Sequence, residues 1–213
     1  MSKSRLEAFS DGVIAILITI MVLELRAPHG SDWGALRAAV PSLLSYVLSF
    51  VFLGIYWNNH HHMLQATDRI NGATLWANLH LLFWLSLIPF VTSWMAENHY
   101  ASEPTAAYGI VLLMCAIAFT ILLRTILAAH RGTNTRLAQA VGSDFKGKLS
   151  IAFYVAAIPL AFVHRAIAYA LYVTVALIWL VLFPELIRIR SMDESGSVQA
   201  TEAATAAGDK ANS

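Results

Sequence analysis

The chain contains 213 residues, of which 58% are hydrophobic and 13% charged, and its formal net charge is +1. Soluble domains carry roughly 25% charged residues, so this composition excludes an ordinary soluble protein and indicates an integral membrane protein. No basic stripe or nucleic-acid-binding motif occurs, so nucleic acid is not expected as a partner. The one cysteine, Cys115, cannot form a disulfide within the chain, and folding therefore does not require an oxidising compartment.

Six apolar runs approach the roughly 20 residues that a helix needs to cross a bilayer. They cover residues 8–26, 40–62, 73–95, 106–128, 149–164 and 166–187. We therefore predict an all-α integral membrane protein with six transmembrane helices per chain. The last two runs are separated only by His164 and Arg165, so a continuous hairpin or a five-span arrangement remains an alternative.

The first apolar run contains a carboxylate, Asp11, close to its start. An aspartate at hydrocarbon depth costs a few kcal/mol, so it normally faces a bundle interior, a polar partner or a water path. Arg5 lies six residues away, which is the wrong spacing for a pair on one helical face. The run does not have the pattern of a cleavable signal peptide, because its charged flank continues into Asp11 and no small-residue cleavage site precedes Arg26.

The next two spans carry polar residues at a matching depth. Trp57 and Asn58 lie shortly before the second span ends, and Asn78 and His80 lie shortly after the third begins. Successive spans run in opposite directions, so we expect these side chains to form one belt with Asp11. We interpret the belt as a lock that fixes the first helix to its scaffold. Two alternatives stay open: buried hydrogen bonds that merely satisfy one another, and direct ion binding by Asp11.

The first helix can also present an apolar stripe. At 3.6 residues per turn, five side chains fall within about a 100° sector, namely Phe9, Ile16, Thr19, Ile20 and Leu23. Ser10 and Asp11 project to other faces. Because nearly every residue from Val13 to Leu23 is apolar, periodicity alone does not choose this stripe over another, and taken alone it favours a position of Ile16 facing lipid or the protein core.

The first helix resembles the R-x-x-x-F-S-D-x-x-x-x-I-x-x-T signature of the transmembrane protein 175 family of potassium channels. The matching residues are Arg5, Phe9, Ser10, Asp11, Ile16 and Thr19. A looser resemblance extends from about residue 5 to about residue 190 and includes Tyr56-Trp57-x-x-His60-His61, Asn78-x-His80 and Pro89-Phe90. The resemblance implies a mainly potassium-conducting pore made by four chains, with the first helix lining the axis. It also implies that Ile16 forms the narrowest constriction and that Thr19 influences ion preference.

A pore of this kind lacks the usual selectivity filter, because the sequence has no Thr-Val-Gly-Tyr-Gly stretch. The predicted constriction consists of Ile16, Thr19, Ile20 and Leu23. A narrow apolar ring penalises dehydration of sodium more than that of potassium, and it can close by dewetting. The sequence therefore predicts a hydrophobic gate with modest selectivity, and potassium and other monovalent cations as the permeant species.

The His60-His61-His62 cluster invites a metal hypothesis. Consecutive helical residues point about 100° apart and cannot all bind one ion, so neither a metal nor a haem is expected, and no cofactor is predicted. A pH-responsive role remains open because histidine titrates near neutrality.

The distribution of Lys and Arg predicts the orientation in the cell membrane. A cytoplasmic N-terminus places most of them inside, at Lys3, Arg5, Arg69, Arg124, Arg131, Arg136, Lys146, Lys148, Arg188 and Arg190, and leaves Arg26, Arg37 and Arg165 outside. Both termini are therefore expected in the cytoplasm. We predict a channel domain over residues 1–190 and a disordered cytoplasmic tail over residues 191–213.

A proton-coupled transporter is the alternative function, with Asp11 and His80 as its titrating sites. Such proteins are expected to contain broken helices near the midplane, whereas the first span has no Gly or Pro between Val13 and Arg26. No nucleophile-base arrangement or phosphate-binding loop is present, so an enzyme is not expected. A single helix cannot enclose an axis, so the channel hypothesis requires a homo-oligomer in the lipid bilayer, and the resemblance makes it a tetramer.

Overall fold

The computed structural model describes residues 2–67, 70–129 and 145–181. The predicted tail at 191–213 and five of the positive residues used for orientation lie outside this part of the chain, namely Arg69, Arg131, Arg136, Arg188 and Arg190. The chain divides into two compact units, Met1–Ala176 and Leu177–Ser213. The interhelical contacts of the candidate site lie within the first unit.

The described residues form seven helices and no strand. They are α1 (Lys3–Leu23), α2 (Trp33–Gln65), α3 (Gly72–Ser86), α4 (Ile88–Glu97), α5 (Ser102–Ala129), α6 (Phe145–Val163) and α7 (Arg165–Val181). The helices α3 and α4 follow one another as a single apolar span, Gly72–Glu97. Among the described residues five spans are long and apolar enough to cross a membrane, and α7, with 17 residues, is a shorter apolar helix. The protein is therefore an all-helical, multi-pass membrane protein.

Local sequence signals explain where these helices begin and break. Asp32 caps α2 by accepting a hydrogen bond from the Ala35 backbone N–H at 2.8 Å, and Asn71 caps α3 in the same way. Pro89 has no N–H to donate to the preceding turn, which accounts for the interruption at Leu87 between α3 and α4.

The end of α4 is a reverse turn with a specific hydrogen-bond pattern. The Tyr100 N–H donates to Met95 O at 3.0 Å and the His99 N–H donates to Ala96 O at 3.2 Å, which is a Schellman motif. His99 has a positive φ of 50° although it is not glycine. The motif satisfies carbonyls that would otherwise be orphaned at the helix end, and it turns the chain directly into α5.

The helices α6 and α7 form an antiparallel hairpin around His164. The rings of Tyr154 in α6 and Tyr172 in α7 lie 6.3 Å apart, centroid to centroid. In one straight helix, residues with this separation in sequence would be about 27 Å apart. The chain therefore reverses at His164, as in the hairpin alternative, and the two segments are separate helices rather than one.

Hydroxyl groups join α2 to α4 and α5. Ser49 Oγ lies 2.7 Å from Thr92 Oγ1 and 2.9 Å from Tyr108 Oη, and all three residues are buried. Ser45 Oγ donates to Tyr100 Oη at 2.9 Å. These bonds tie the first half of α2 to α4 and α5, and they satisfy hydroxyl groups that have no water to bond to inside an apolar bundle.

The packing of α5 against α7 depends on the absence of a side chain at Gly109. A Cβ at this position would collide with the Tyr172 hydroxyl, which donates to Thr105 O at 3.0 Å. Overpacking of this kind usually costs about 1–3 kcal/mol.

We therefore expect Gly109→Ala to lower the melting temperature in detergent. Gly54→Ala is the matched control, because a Cβ added there would meet nothing within 4 Å, and it should leave the melting temperature unchanged or raise it.

Candidate functional site

The first helix has two distinct faces. One is buried against α2, α3 and α4 and consists of Leu6, Ser10, Ile14, Leu17 and Met21. The other carries the predicted pore stripe: Ile16 is 57% exposed and Leu23 is 78% exposed, whereas Ile14 is 0% exposed. Phe9, Thr19 and Ile20 lie on the same exposed side. The protomer therefore leaves a bulky apolar face of α1 uncovered.

A chain of hydrogen bonds crosses three helices on the buried side of α1. Asn78 Nδ2 in α3 donates to Ser10 Oγ at 3.0 Å, and Ser10 Oγ donates to Leu6 O at 2.9 Å. Asn78 Oδ1 lies 2.7 Å from His60 Nε2 in α2. An amide oxygen only accepts, so His60 Nε2 carries the proton in this arrangement. Ser10, His60 and Asn78 are all buried, and their polar groups satisfy one another.

A second contact ties α1 to α2 at the same depth. Trp57 Nε1 donates to Asp11 Oδ1 at 3.0 Å. The Trp57 ring stacks on His61, one turn further along α2, with centroids 5.8 Å apart. The carboxylate is half-buried and the indole partly exposed. The charge of Asp11 thus has a hydrogen-bond donor from the neighbouring helix, and Lys3 Nζ adds a further tie by donating to Gln65 O at 2.9 Å.

Three polar residues that the sequence analysis singled out lie outside this set of interhelical hydrogen bonds. His80 Nε2 accepts from Trp84 Nε1 at 2.9 Å within α3, so the described hydrogen bond of His80 is local and is not with Asp11. Asn58 Nδ2 is buried without a hydrogen-bond partner in the described part of the chain. Arg5 is exposed. The belt that the structure assembles from described residues therefore consists of Ser10, Asp11, Trp57, His60 and Asn78.

His60 is the member of this belt that sequence reasoning missed. The sequence groups it with its neighbours as one histidine cluster, yet His60 is buried, whereas His61 and His62 are not. The signal available in the sequence is the spacing of His60 from Trp57, because residues three apart lie on neighbouring parts of one helical face. Within the described ranges no group of three or more His, Cys, Asp or Glu residues could hold a metal ion.

The hydroxyl of Thr19 has a defined orientation. Its Oγ1 lies 2.9 Å from Ile16 O and 3.1 Å from Ala15 O, and it donates to these carbonyls of its own helix. Because the hydroxyl proton is used inside the helix, the Thr19 oxygen can offer only lone pairs to the exposed side. This side of α1 therefore presents an acceptor, which suits a cation.

Comparison with known proteins gives consistent matches. Residues 5–89 match the family model described as the endosomal/lysosomal potassium channel TMEM175. A potassium channel of Chryseobacterium sp. is 54% identical over 181 residues, which are 85% of this chain and 94% of that protein. A potassium channel of Streptomyces collinus is 39% identical over 125 residues, 55% of this chain and 61% of that protein.

A solved structure also matches. The crystal structure of a lysosomal potassium-selective channel TMEM175 homolog from Chamaesiphon minutus aligns with a TM-score of 0.74 at 27% sequence identity. The alignment covers 84% of this chain and 96% of that chain.

Loss of Asn78 should disrupt the belt from its centre. Asn78→Ala removes two interhelical hydrogen bonds and leaves buried partners at His60 and Ser10, at a cost of roughly 1–3 kcal/mol for each unsatisfied group. We expect a lower melting temperature and a smaller yield of monodisperse protein in mild detergent. Asn59→Ala is the matched control, because among the described residues the Asn59 amide donates to Ile55 O of its own helix and to no other helix. Equal behaviour of the two variants would contradict the role given to Asn78.

Proposed function

Because the chain belongs to the TMEM175 family of potassium channels, we propose that it conducts potassium through a pore lined by α1 from several copies of the chain. The observation that carries this proposal is the division of α1 into two faces. Its polar pair, Ser10 and Asp11, is bonded to α2 and α3, while the stripe containing Ile16 is left without a partner in the protomer.

A homotetramer follows from the proposed pore. One copy of α1 cannot enclose an axis, and the family resemblance implies four. In such a ring the exposed stripe of Phe9, Ile16, Ile20 and Leu23 faces the axis, and the belt keeps each α1 at a fixed rotation. A one-residue rotation of α1 by about 100° would carry Ile16 away from the axis. The belt thereby determines which side chains meet the ions.

Selectivity is proposed to arise at the Ile16 ring. An apolar constriction offers no replacement for lost hydration, so the more strongly hydrated sodium ion meets the higher barrier. Thr19, less than one turn further along α1, presents oxygen lone pairs that partly compensate a dehydrated potassium ion. The ring formed by Ile20 and Leu23 extends the apolar segment and can close the pore by dewetting. No cofactor is required for this mechanism.

The structure favours a channel over a proton-coupled transporter. The first helix is continuous from Lys3 to Leu23, and the described hydrogen bond of His80 is with Trp84 rather than with Asp11.

The orientation with both termini in the cytoplasm is part of the proposal, and it rests on the positive-inside distribution of Lys and Arg. We propose that the protein is located in the cell membrane.

Cation flux tests the proposed function directly. Purified protein in liposomes should release potassium along its gradient when a protonophore provides charge balance, and release of sodium under the same conditions should be slower. Liposomes without protein measure the background leak. Flux that requires a proton gradient, and that stops when the gradient is removed at constant voltage, would instead indicate a transporter.

The Ile16 ring can be tested by making it wettable. Ile16→Asn supplies amide oxygens that replace part of the lost hydration shell, so the permeability of sodium relative to potassium should rise, with total current equal or larger. Ile14→Asn is the matched control: Ile14 is fully buried, so an amide there should reduce the yield of folded protein rather than change the permeability ratio. An unchanged sodium-to-potassium ratio in well-assembled Ile16→Asn would show that the pore face is wrongly assigned.

A further inference from the structure

Arg124 is an isolated cation on α5. The two charged residues of this helix are Glu103, near its start, and Arg124, near its end. Arg124 is exposed, and among the described residues it has no ion-pair or hydrogen-bond partner. It shares a helical face with Ile121, which precedes it by three positions and is 42% exposed. An exposed apolar face on a membrane helix contacts lipid, so this arginine faces the bilayer without a described counter-charge, which is costly.

The length of α5 places Arg124 at the edge of the hydrocarbon. Arg124 follows Glu103 by 21 positions, which correspond to about 32 Å along a helix. The hydrocarbon core of a bilayer is about 30 Å thick, and no charged residue lies between the two. Glu103 and Arg124 therefore mark the two boundaries of the apolar segment. A long arginine side chain at such a boundary extends its guanidinium to the level of the lipid phosphates.

A second exposed cation, Lys148 of α6, lies near the same boundary. The helices α5 and α6 are antiparallel, because Gly109 near the start of α5 lies against Ile158 near the end of α6. A Cβ at Gly109 would be 3.2 Å from Ile158 Cγ1. Counting fifteen residues from each of these positions leads to Arg124 in α5 and to residue 143, next to the start of α6. Lys148 therefore lies within about 8 Å of the level of Arg124 along the bundle.

The helices that flank Arg124 offer no carboxylate to neutralise it. The helices α3 and α6 contain no Asp or Glu, and the acid of α5, Glu103, lies at the other end. The helix α3 packs against α5, and near its start it exposes the ring of Trp76, which is 76% exposed. Tryptophan side chains are enriched at the level of the lipid headgroups. The surface where α5 ends and α6 begins is thus basic, and it complements a negatively charged headgroup.

We propose that Arg124 and Lys148 bind the phosphate group of an anionic phospholipid in the leaflet where α5 ends. A guanidinium can donate two parallel hydrogen bonds to a phosphate, and a lysine on a flexible chain adds a second positive charge. A zwitterionic lipid carries its own ammonium group, which these cations repel, whereas an anionic lipid carries none. In the proposed orientation this leaflet is the cytoplasmic one, whose surface is negative. Lipid binding at this site goes beyond the proposed function and requires no conduction.

Retention of lipid by the purified protein tests the site. Protein is extracted in mild detergent from liposomes of equal parts phosphatidylglycerol and phosphatidylcholine, and its bound lipids are identified by native mass spectrometry. The wild type should retain phosphatidylglycerol in several-fold excess, and Arg124→Gln should lose most of this preference. Arg124→Lys, which keeps the charge without the fork, and Lys148→Gln should each keep part of it. Arg37→Gln is the matched control, because Arg37 is also exposed and has no described ion pair but lies near the start of α2, so it should behave like the wild type.

Thermal unfolding in nanodiscs gives a second measurement. The wild type should melt at a higher temperature in phosphatidylglycerol than in phosphatidylcholine, and this difference should shrink in Arg124→Gln. Potassium flux is measured on the same protein: a lipid preference without flux would contradict the channel proposal and leave the lipid site in place. Three results would overturn the inference. They are a phosphatidylglycerol preference that survives in Arg124→Gln, equal losses in Arg124→Gln and Arg37→Gln, which indicate general charge attraction, and a melting shift that inorganic phosphate reproduces in phosphatidylcholine nanodiscs.

Discussion

Hydrogen bonds that must be made without water organise this protein. In the hydrocarbon interior no water is available to bond an unpaired polar group. Burial of Ser10, His60 and Asn78 is therefore favourable because they form hydrogen bonds with one another. Three helices are thereby brought to one relative depth and rotation. The same requirement joins Ser49, Thr92 and Tyr108. Apolar packing fills the space between these two sets of bonds, but it does not by itself specify a register.

The apolar face of α1 is a consequence of this arrangement. With its polar pair directed to α2 and α3, the helix carries large hydrocarbon side chains together with Thr19 on the opposite side, and these are exposed in the protomer. A soluble protein with such a surface would aggregate. In a family of potassium channels the same surface becomes usable, because copies of the chain can share it around an axis. Under the proposed function, the surface that conducts ions and the surface that assembles the copies belong to one helix.

Much of the architecture could be predicted from the sequence, because length and hydropathy alone define spans. Hydropathy left the last two runs open between separate spans, a hairpin and a five-span arrangement, and the reversal at His164 is seen only in the contact of Tyr154 with Tyr172, which are far apart in sequence. Asp11 is recognisable as a residue that needs a partner, and Trp57 is among the candidates. Depth in the membrane places His80 in the belt, but depth does not give the direction of a side chain on its helix. The burial of His60 and its hydrogen bond to Asn78 were not predicted, because the sequence shows three adjacent histidines and does not distinguish one from the others.

The single residue between α6 and α7 also limits how the topology of the molecule can be mapped. Reporter tags are usually inserted into links between spans, and the link at His164 is a single residue between two helices that are in contact through Tyr154 and Tyr172. The link between α1 and α2, residues 24–32, is longer, and its described contacts include the Asp32 cap and an exposed ion pair of Arg26 with Glu97. A tag placed there would report on which side of the membrane the link between α1 and α2 lies.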